Sequence, residues 1–389
     1  MYKNALMLAV LTLFTLVGAA QQSLVSNYSE QIGAPLDGHF RVSHIAGTEE
    51  AYLTPIHQSS HAANLLQLKN GDILCFWFSG TQEGQSGVAI VVSRLAKNSR
   101  QWTVPKTVDR HAGESYQNPV GFQAPDGTVW LFHTTQEAGA GQAHSSVLVV
   151  KSHDNGRTWG KSAVLFNEPG AFIRQPLVIM PNGYWLLPMY YSTSRGITTG
   201  AESNYSAMKI SANQGKTWKE CDVPSSGGYV QPSVLYVKHH YVAFFRSRFA
   251  DYIYRSTSPD GCHWKAPVKT SLPNNNSSIQ AVLLRDGKIA MAFNDVSAAR
   301  VTGKPAVGPR RPLTVALSSD EGLTWSAMRD IEKGHVGQPG SNPLPKVPER
   351  EEFSYPAILQ QSNGNILVAF TYLRKTIKTM SFPESWIQK

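Results

Sequence analysis

A motif closed by tryptophan recurs along this chain and constrains its fold more than any other feature. The pattern Ser-x-Asp-x-Gly-x-Thr-Trp is complete at residues 152–159 and 318–325, and nearly complete at 211–218. Three more tryptophans continue the spacing of 46 to 61 residues, namely Trp102, Trp264 and Trp386. A unit that returns at such a period is the signature of a repeat architecture.

Hairpin signals run in phase with this motif. Asn-Gly or Asp-Gly stands between two apolar runs at five places, and His239-His240 stands at a sixth. The five dipeptides begin at Asn70, Asp126, Asn182, Asp286 and Asn363. Such dipeptides predict tight type I′ hairpins, because both central residues of that turn need positive φ.

Six hairpins, each followed by a strand and a tryptophan-closed turn, predict six four-stranded blades. Sheets of this kind bury their faces only against neighbouring sheets, and radial closure leaves few open edges. No helical period of 3.6 residues appears between the repeats, which argues against a solenoid. We therefore predict an all-β, six-bladed β-propeller over residues 51–389.

The beginning of the chain reads as a secretory signal. Lys3 supplies a charge, residues 6–17 are apolar, and small residues precede Gln21. Residues 21–50 are expected to form a lead-in segment before the propeller. No other apolar stretch is long enough to cross a bilayer. We expect a secreted or periplasmic monomer that does not insert into a membrane after residues 1–20 are removed.

Charge and cysteine content narrow the range of partners. The net charge is +9 and the pI about 9.3, yet the basic residues are scattered, which argues against a nucleic-acid module. A positive field suits an acidic glycan or another small anion. The three cysteines, Cys75, Cys221 and Cys262, cannot all pair, and their spacing matches no metal knuckle. We expect no metal and no cofactor, a buried Cys75 thiol, and a fold that disulfides do not hold together.

The tryptophan-closed motif resembles the Asp box, or BNR repeat, of the sialidase (neuraminidase) superfamily. The resemblance covers residues 55 to 380. It implies structural rather than catalytic work for Asp154 and Asp320, because the Asp of such a turn accepts backbone N–H groups and the Trp packs between strands.

In a propeller, chemistry is expected where the innermost strands converge on the central channel. Short polar stretches recur just before six of the predicted apolar strands, so their side chains are expected to form a ring at the channel mouth. The central residues of these stretches are Ala62, Asn118, Gln175, Gln231, Gln280 and Tyr355.

Sialidases bind a sugar carboxylate with three arginines, attack the anomeric carbon with a tyrosine, and protonate the leaving oxygen with an aspartic acid. Tyr355 matches the tyrosine, and a neutral phenol suits this work because a carboxylate nucleophile would repel an anionic substrate. Arg246 or Arg248 matches the second arginine, and Arg310 or its neighbour Arg311 matches the third. Guanidinium groups bind carboxylates through paired hydrogen bonds.

The chain departs from this family pattern at three points. His61 stands where the first arginine is expected, and Glu83 is the acidic residue nearest to the place of the aspartic acid. No glutamate precedes Gln231, where the family has one that assists the tyrosine. We predict Tyr355, Glu83 and His61 as catalytic residues, with Arg174 joining the other arginines in the carboxylate clamp.

The primary prediction is an exported sialidase-like glycosidase, of the exo-alpha-sialidase type, acting on terminal acidic sugars of glycans. A uronate-specific lyase is one alternative, because arginine can neutralise a carboxylate while histidine or tyrosine removes the neighbouring proton. That alternative brings in His133, which ends the hairpin of blade two, and Tyr190 and Tyr191, which end that of blade three, besides His61 and Arg174. A noncatalytic carbohydrate-binding propeller is the other alternative. A Gly- and Pro-rich loop at residues 334–352 is expected at the surface.

Overall fold

The computed structural model describes residues 19–193, 200–298, 308–334 and 351–388, which form six antiparallel sheets arranged as the blades of a propeller. The predicted fold class is confirmed. The predicted signal segment lies outside the described residues up to residue 18, and most of the predicted loop at 334–352 lies outside them as well. No helix among the described residues combines the length and apolarity needed to cross a membrane.

The first three blades follow one another along the chain, each running from its innermost to its outermost strand. Blade one consists of Ser59–Gln67, Ile73–Gly80, Ala89–Leu95 and Lys106–Asp109. Blade two consists of Glu114–Gln123, Val129–Glu137, Ser146–Ser152 and Ala163–Phe166. In blade three the inner edge is broken into two pieces, Ala171–Ile173 and Val178–Ile179, which both pair with Trp185–Tyr191, and Tyr205–Ser211 and Lys219–Asp222 follow.

The remaining blades repeat this plan. Blade four consists of Tyr229–Val237, His240–Ser247, Tyr252–Ser258 and Val268–Pro273. Blade five consists of Gln280–Leu283, Ile289–Asn294, Leu313–Ser318 and Ala327–Glu332. Blade six begins with Phe353–Gln360, Ile366–Tyr372 and Thr376–Phe382. A helix at 19–32 and three 3-10 turns, Gln142–His144, Ala201–Ser203 and Glu384–Trp386, complete the described elements.

Blade six is completed by the beginning of the chain. Glu49–Tyr52 pairs with Thr376–Phe382, and Arg41–Val42 pairs with Glu49–Tyr52 at the outer edge. The propeller therefore begins before the predicted boundary at residue 51. Lys378 fixes this closure, because its fully buried ammonium lies 2.9 Å from both Glu50 and Glu332.

The hydrophobic core lies between the blades. Six apolar clusters are each shared by two neighbouring sheets, so every blade covers both of its faces with side chains of its neighbours. Trp185 of blade three, for example, packs edge-on against Phe122 and Trp130 of blade two at ring distances of 4.8 and 5.2 Å. This layout explains why single blades need closure into a ring.

The predicted hairpins are present, but five of them use another turn. In each, the glycine alone has positive φ, between 82° and 93°, and donates its N–H to the carbonyl three residues before it. This is a type I turn followed by a left-handed glycine rather than type I′. The sixth turn lies at Lys238 and His239, both with positive φ, one residue before the predicted position.

The tryptophan-closed motifs form hydrogen-bonded turns, as expected for a structural role. Asp154 accepts the backbone N–H groups of Arg157 and Thr158, both at 2.9 Å, while Ser152 Oγ accepts the N–H of Gly156 at 2.8 Å. A Cβ atom at Gly156 would lie 2.7 Å from Leu74 of blade one, so the glycine also permits close packing between blades. Hydrogen bonds from the Thr158 hydroxyl, the Thr158 N–H and the Ser152 hydroxyl hold the pKa of Asp154 well below its ordinary value.

The cysteines correct one expectation. Cys221, on the outer strand of blade three, forms a disulfide with Cys262, in the tryptophan-closed turn of blade four. The prediction that disulfides do not hold this fold is therefore wrong for this pair of blades. Spacing along the sequence could not reveal the bridge, because 41 residues separate the two cysteines. Cys75 is a free and fully buried thiol, as predicted.

Candidate functional site

The innermost strands share a backbone irregularity that creates the site. The hydrogen-bond register shifts in the inner strands of blades one, two, four and six, next to residues with left-handed backbone conformation. These residues are Ala62, Asn118, Gln231 and Tyr355, with φ between 49° and 62°. In these four blades the polar stretches therefore lie at bulges within the strands rather than before them. Because bulges redirect side chains, they explain how residues of a continuous strand can face the centre.

Tyr355 and Arg246 form the middle of the site. Arg246 Nη1 donates a 2.7 Å hydrogen bond to the Tyr355 hydroxyl. Nη1 also donates to Gln231, and Nε and Nη2 both donate to Asn276, so the described residues give Arg246 only uncharged partners. Burial alone would raise the pKa of Tyr355, but the charges of Arg246 and Arg310 hold it below its ordinary value of 10.0. The phenol is thereby prepared to lose its proton.

Arg248 joins this centre from the end of the second strand of blade four, and Arg310 joins it from the segment just before the third strand of blade five. The guanidinium carbon of Arg310 lies 5.4 Å from the centre of the Tyr355 ring. Arg248 is buried and donates only a long 3.4 Å bond to Gln142, and its Nε has no hydrogen-bond partner among the described residues. Burial, and then the charge of Arg246, lowers the pKa of Arg248 to about 10. Arg248 is therefore a buried cation that forms no ion pair with any of the described residues.

His61 lies against the face of Tyr355, with 4.2 Å between the ring centres. Its Nδ1 is 2.8 Å from the Thr371 hydroxyl. Complete burial, and then the charges of Arg374 and Arg310, hold the pKa of His61 well below 6.5. The imidazole is therefore neutral at physiological pH and adds no positive charge where the resemblance expects an arginine.

An ion-pair network that the sequence reasoning missed borders Tyr355. Glu352 accepts hydrogen bonds from Arg310 at 2.5 Å and from Arg374 at 3.0 Å, and Arg374 donates to Glu83 at 2.7 Å. Burial opposes the charge of Glu352, but Arg310 and Arg374 outweigh it and lower its pKa to about 2. The missed signal was the pair of charged residues flanking the strands of the last hairpin, Glu352 before the first strand and Arg374 after the second.

Arg174 reaches the centre but is not free to bind a ligand. Its guanidinium donates to the backbone carbonyls of Ala63, Tyr355 and Pro356 and to the Ser278 hydroxyl, all at 3.0 to 3.1 Å. The predicted clamp role of Arg174 is therefore corrected: it joins the inner strands of blades one and six to the segment before blade five. Burial lowers its pKa to about 10.

His133 and Tyr191 lie outside this centre, against their predicted placement. His133 Nε2 is 2.9 Å from Asp109 of blade one, with its ring against Tyr116, so it lies between blades one and two. Tyr191 bonds to Glu220 of its own blade. The preceding residue, Tyr190, is the one that faces the centre, where its hydroxyl accepts hydrogen bonds from Asn118 and Gln231.

We call the following eight residues the central cluster: His61, Glu83, Arg246, Arg248, Arg310, Glu352, Tyr355 and Arg374. Four guanidinium groups face two carboxylates within it. This excess of positive charge around a buried phenol suits an anionic ligand. No group of three or more His, Cys, Asp or Glu side chains in the described part of the chain is arranged to hold a metal ion.

Comparisons with known proteins agree with this architecture. The family model described as a BNR repeat-like domain matches residues 71–368. No curated protein sequence shows significant similarity to the chain. Among solved structures, the fold is similar to the Hadza microbial sialidase Hz136, with TM-score 0.67 and 14% identity over 85% of this chain and 67% of that one.

Two further solved structures are covered over all or nearly all of their own length by the alignment with this chain. An intramolecular trans-sialidase from Ruminococcus gnavus, in complex with oseltamivir carboxylate, has TM-score 0.66 and 11% identity over 92% of this chain and 100% of that one. A protein of unknown function from Dyadobacter fermentans has TM-score 0.64 and 16% identity over 87% of this chain and 99% of that one. At these identities the similarity establishes the fold alone.

Proposed function

The chain belongs to the family of BNR repeat-like domains, and from the geometry of the central cluster we propose that it is a sialidase-type glycoside hydrolase acting on a terminal sugar that bears a carboxylate. The observation that carries the proposal is the 2.7 Å hydrogen bond from Arg246 to the Tyr355 hydroxyl. It unites a cation for the carboxylate with a phenol whose pKa is lowered. The sialidases among the structural neighbours support this substrate class.

The proposed roles follow from charge. Arg246 and Arg248 have no acidic partner among the described residues, so they carry the positive charge that a substrate carboxylate would balance. Arg310 completes the clamp while Glu352 fixes its orientation at 2.5 Å. The phenol of Tyr355 gives its proton to solvent, and the neighbouring guanidiniums stabilise the phenolate. The phenolate oxygen attacks the anomeric carbon as the bond to the leaving oxygen breaks, and water then cleaves the sugar from Tyr355.

Glu83 is the proposed proton donor to the leaving oxygen. It lies on the loop between the second and third strands of blade one and ends 2.7 Å from Arg374. A carboxylate in an ion pair has no proton to donate, so this role requires that Glu83 leaves Arg374 when substrate binds. Export and a monomeric state remain part of the proposal.

A uronate lyase is the second candidate, and the position of His61 favours it. A neutral imidazole lies 4.2 Å from the ring of Tyr355, amid arginines that can neutralise a carboxylate. Removal of the proton next to that carboxylate by His61 or Tyr355, with loss of the leaving oxygen, gives an unsaturated uronate. Unlike hydrolysis, this reaction consumes no water.

The experiment is an activity screen of the protein on a fluorogenic sialoside and on uronate-containing glycans, with fluorophore release and near-ultraviolet absorbance recorded together. For the hydrolase we expect release that falls roughly 10³-fold or more in Tyr355→Phe. Tyr241→Phe, which changes a buried tyrosine of blade four, is the matched control and should retain activity.

Absorbance without release would replace the hydrolase by the lyase. Binding of an acidic sugar without either signal would replace both by a carbohydrate-binding propeller. Release that is unchanged in Tyr355→Phe would contradict the nucleophile.

A further inference from the structure

Arg374 lies at the tip of the hairpin formed by Ile366–Tyr372 and Thr376–Phe382, in an unusual backbone conformation. Leu373 and Arg374, the two central residues of the turn, have φ of 54° and 59°. The Lys375 N–H donates to the Tyr372 carbonyl at 3.0 Å and closes the turn. This type I′ geometry favours Asn-Gly, because residues with larger side chains are strained at positive φ. Strain that the surroundings maintain suggests a function for the side chain.

The tip is docked on blade one beside His61. The Arg374 carbonyl accepts the N–H of Ser60 at 2.7 Å, and the Leu373 N–H donates to the Glu352 carbonyl at 2.8 Å. After burial, the charge of Arg374 is the largest influence that lowers the pKa of His61. Glu352, which accepts the hydrogen bond of Arg374 Nε at 3.0 Å, lies 3.6 Å from His61 Nδ1, so the two side chains flank one carboxylate although they come from different blades.

The guanidinium retains capacity for a ligand. Arg374 Nε donates to Glu352 at 3.0 Å and Nη1 donates to Glu83 at 2.7 Å. Nη2 has no hydrogen-bond partner among the described residues. The side chain of Arg374 is 29% exposed, against 16% for Arg310, so it is the most exposed arginine side chain of the central cluster.

We propose that Arg374 is a further carboxylate-binding residue of the site, and that it supplies from blade six the guanidinium that blade one lacks at His61. This inference rests on the proposed function, because it takes the ligand to be a carboxylated sugar. Glu352 orients Arg374 and Arg310 together through its two oxygens, so both guanidiniums are held beside Tyr355.

The proposal gives the Glu83–Arg374 ion pair a role. A ligand carboxylate and Glu83 compete for one guanidinium, so binding of the ligand weakens the contact that holds Glu83. Glu83 is then free to move toward the leaving oxygen, as its proposed role requires. Removing the charge of Glu83 should therefore strengthen binding of an acidic sugar, whereas removing Arg374 should weaken it.

The test is calorimetric titration with N-acetylneuraminic acid, D-galacturonic acid and D-glucuronic acid, each beside its neutral methyl ester. We expect the wild type to bind at least one acid in preference to its ester. Arg374→Ala should weaken binding of that acid about ten- to a hundredfold, which is the range of a lost charge-assisted hydrogen bond, and leave the ester unchanged. Glu83→Gln should bind the acid several-fold more tightly, and Arg157→Ala, on an exposed turn of blade two, should match the wild type.

Each other outcome has a distinct meaning. If the wild type prefers an acid but Arg374→Ala binds it equally well, the inference fails while the proposed function stands. If Arg374→Ala weakens acid and ester by the same factor, Arg374 is only structural and the inference fails. If the wild type prefers none of the acids to its ester, the proposed function fails and the inference fails with it.

Discussion

Two buried arginines at the centre of the propeller have different tasks because their guanidiniums point at different partners. Arg174 donates to three backbone carbonyls and one hydroxyl, so its hydrogen-bonding capacity is used within the protein. Arg246 donates to two amide side chains and to the hydroxyl of Tyr355. At the residue scale, orientation rather than residue type separates a structural arginine from a binding one.

This difference predicts a large loss of stability on removal of Arg174. Arg174→Ala leaves buried carbonyl groups without donors and opens a cavity, so the free energy of unfolding should fall by about 3–5 kcal/mol. The matched control is Arg285→Ala, because Arg285 also donates to two backbone carbonyls but at the surface. Arg285→Ala should lower the free energy of unfolding by less than about 1 kcal/mol. Urea unfolding measures both, and equal small losses would contradict the structural role of Arg174.

His61 predicts a pH dependence of stability. Its pKa is well below 6.5 in the folded state and returns to 6.5 on unfolding, so below pH 6.5 the unfolded chain binds a proton that the folded chain does not. Stability is therefore lost as the pH falls below 6.5, by up to about 1.4 kcal/mol per pH unit. His57, whose pKa burial also lowers, adds to this loss.

The contribution of His61 is the difference between the wild type and His61→Asn. Urea unfolding between pH 6.5 and 5 should show that the free energy of unfolding depends less steeply on pH in His61→Asn. This pH window lies above 4.5, the ordinary pKa of the Glu352 carboxyl, so Glu352 contributes little to the pH dependence within it. His153→Asn, at an exposed histidine, should keep the wild-type slope. Identical slopes for wild type and His61→Asn would show that His61 is not held neutral by the fold.

At the scale of elements, features determined by a few consecutive residues could be predicted from the sequence, whereas features that arise from contacts between distant segments could not. The hairpins and the Asp-box turns were predictable because a few consecutive residues determine them, as at Ser152 and Asp154. Tyr355 and Arg246 were predictable from their motifs. Glu352 and Arg374 were not, because their importance arises from contacts between segments 22 residues apart and with Glu83 291 residues away.

The alternation of side chains along a strand explains the errors at Tyr191 and His133. Neighbouring residues of a strand face opposite sides, so an error of one position exchanges a central residue for one between blades. Tyr190 faces Asn118 and Gln231 at the centre, whereas Tyr191 faces Glu220. The bulges add to this difficulty, because each of them changes the alternation of side chains along its strand.

The disulfide between blades three and four predicts a dependence on reducing agents. The bridge closes a loop with a sequence separation of 41 residues, for which the loss of chain entropy in the unfolded state is worth about 2–4 kcal/mol. Cys221→Ala should lower the urea midpoint of the oxidised protein and remove its sensitivity to dithiothreitol. A wild type whose midpoint is the same with and without dithiothreitol would contradict a stabilising bridge.

At the scale of the whole molecule, the ring depends on its closure by Glu49–Tyr52. Glu50 contacts the fully buried ammonium of Lys378, whereas the adjacent Glu49 pairs with Arg100 at an exposed position. Glu50→Gln should therefore lower the free energy of unfolding by about 3 kcal/mol, since it removes one of the two carboxylates that balance a buried charge. Glu49→Gln should change it by less than about 1 kcal/mol.

Thermal and urea unfolding of these two variants compare a buried and a surface ion pair on the same strand. Comparable effects of the two changes would mean that the contact of Glu50 with Lys378 does not secure the closure. A loss of stability in Glu50→Gln but not in Glu49→Gln would show that the pairing of Glu49–Tyr52 with blade six stabilises the whole propeller.

The central claim is that the central cluster binds a carboxylated sugar beside Tyr355. Its most direct test is a crystal structure of Tyr355→Phe in complex with the acidic sugar that the wild type binds best. We predict the carboxylate within about 3 Å of the guanidinium of Arg246, with the anomeric carbon next to the ring at position 355. A sugar bound with its carboxylate away from Arg246, Arg248, Arg310 and Arg374 would contradict the account.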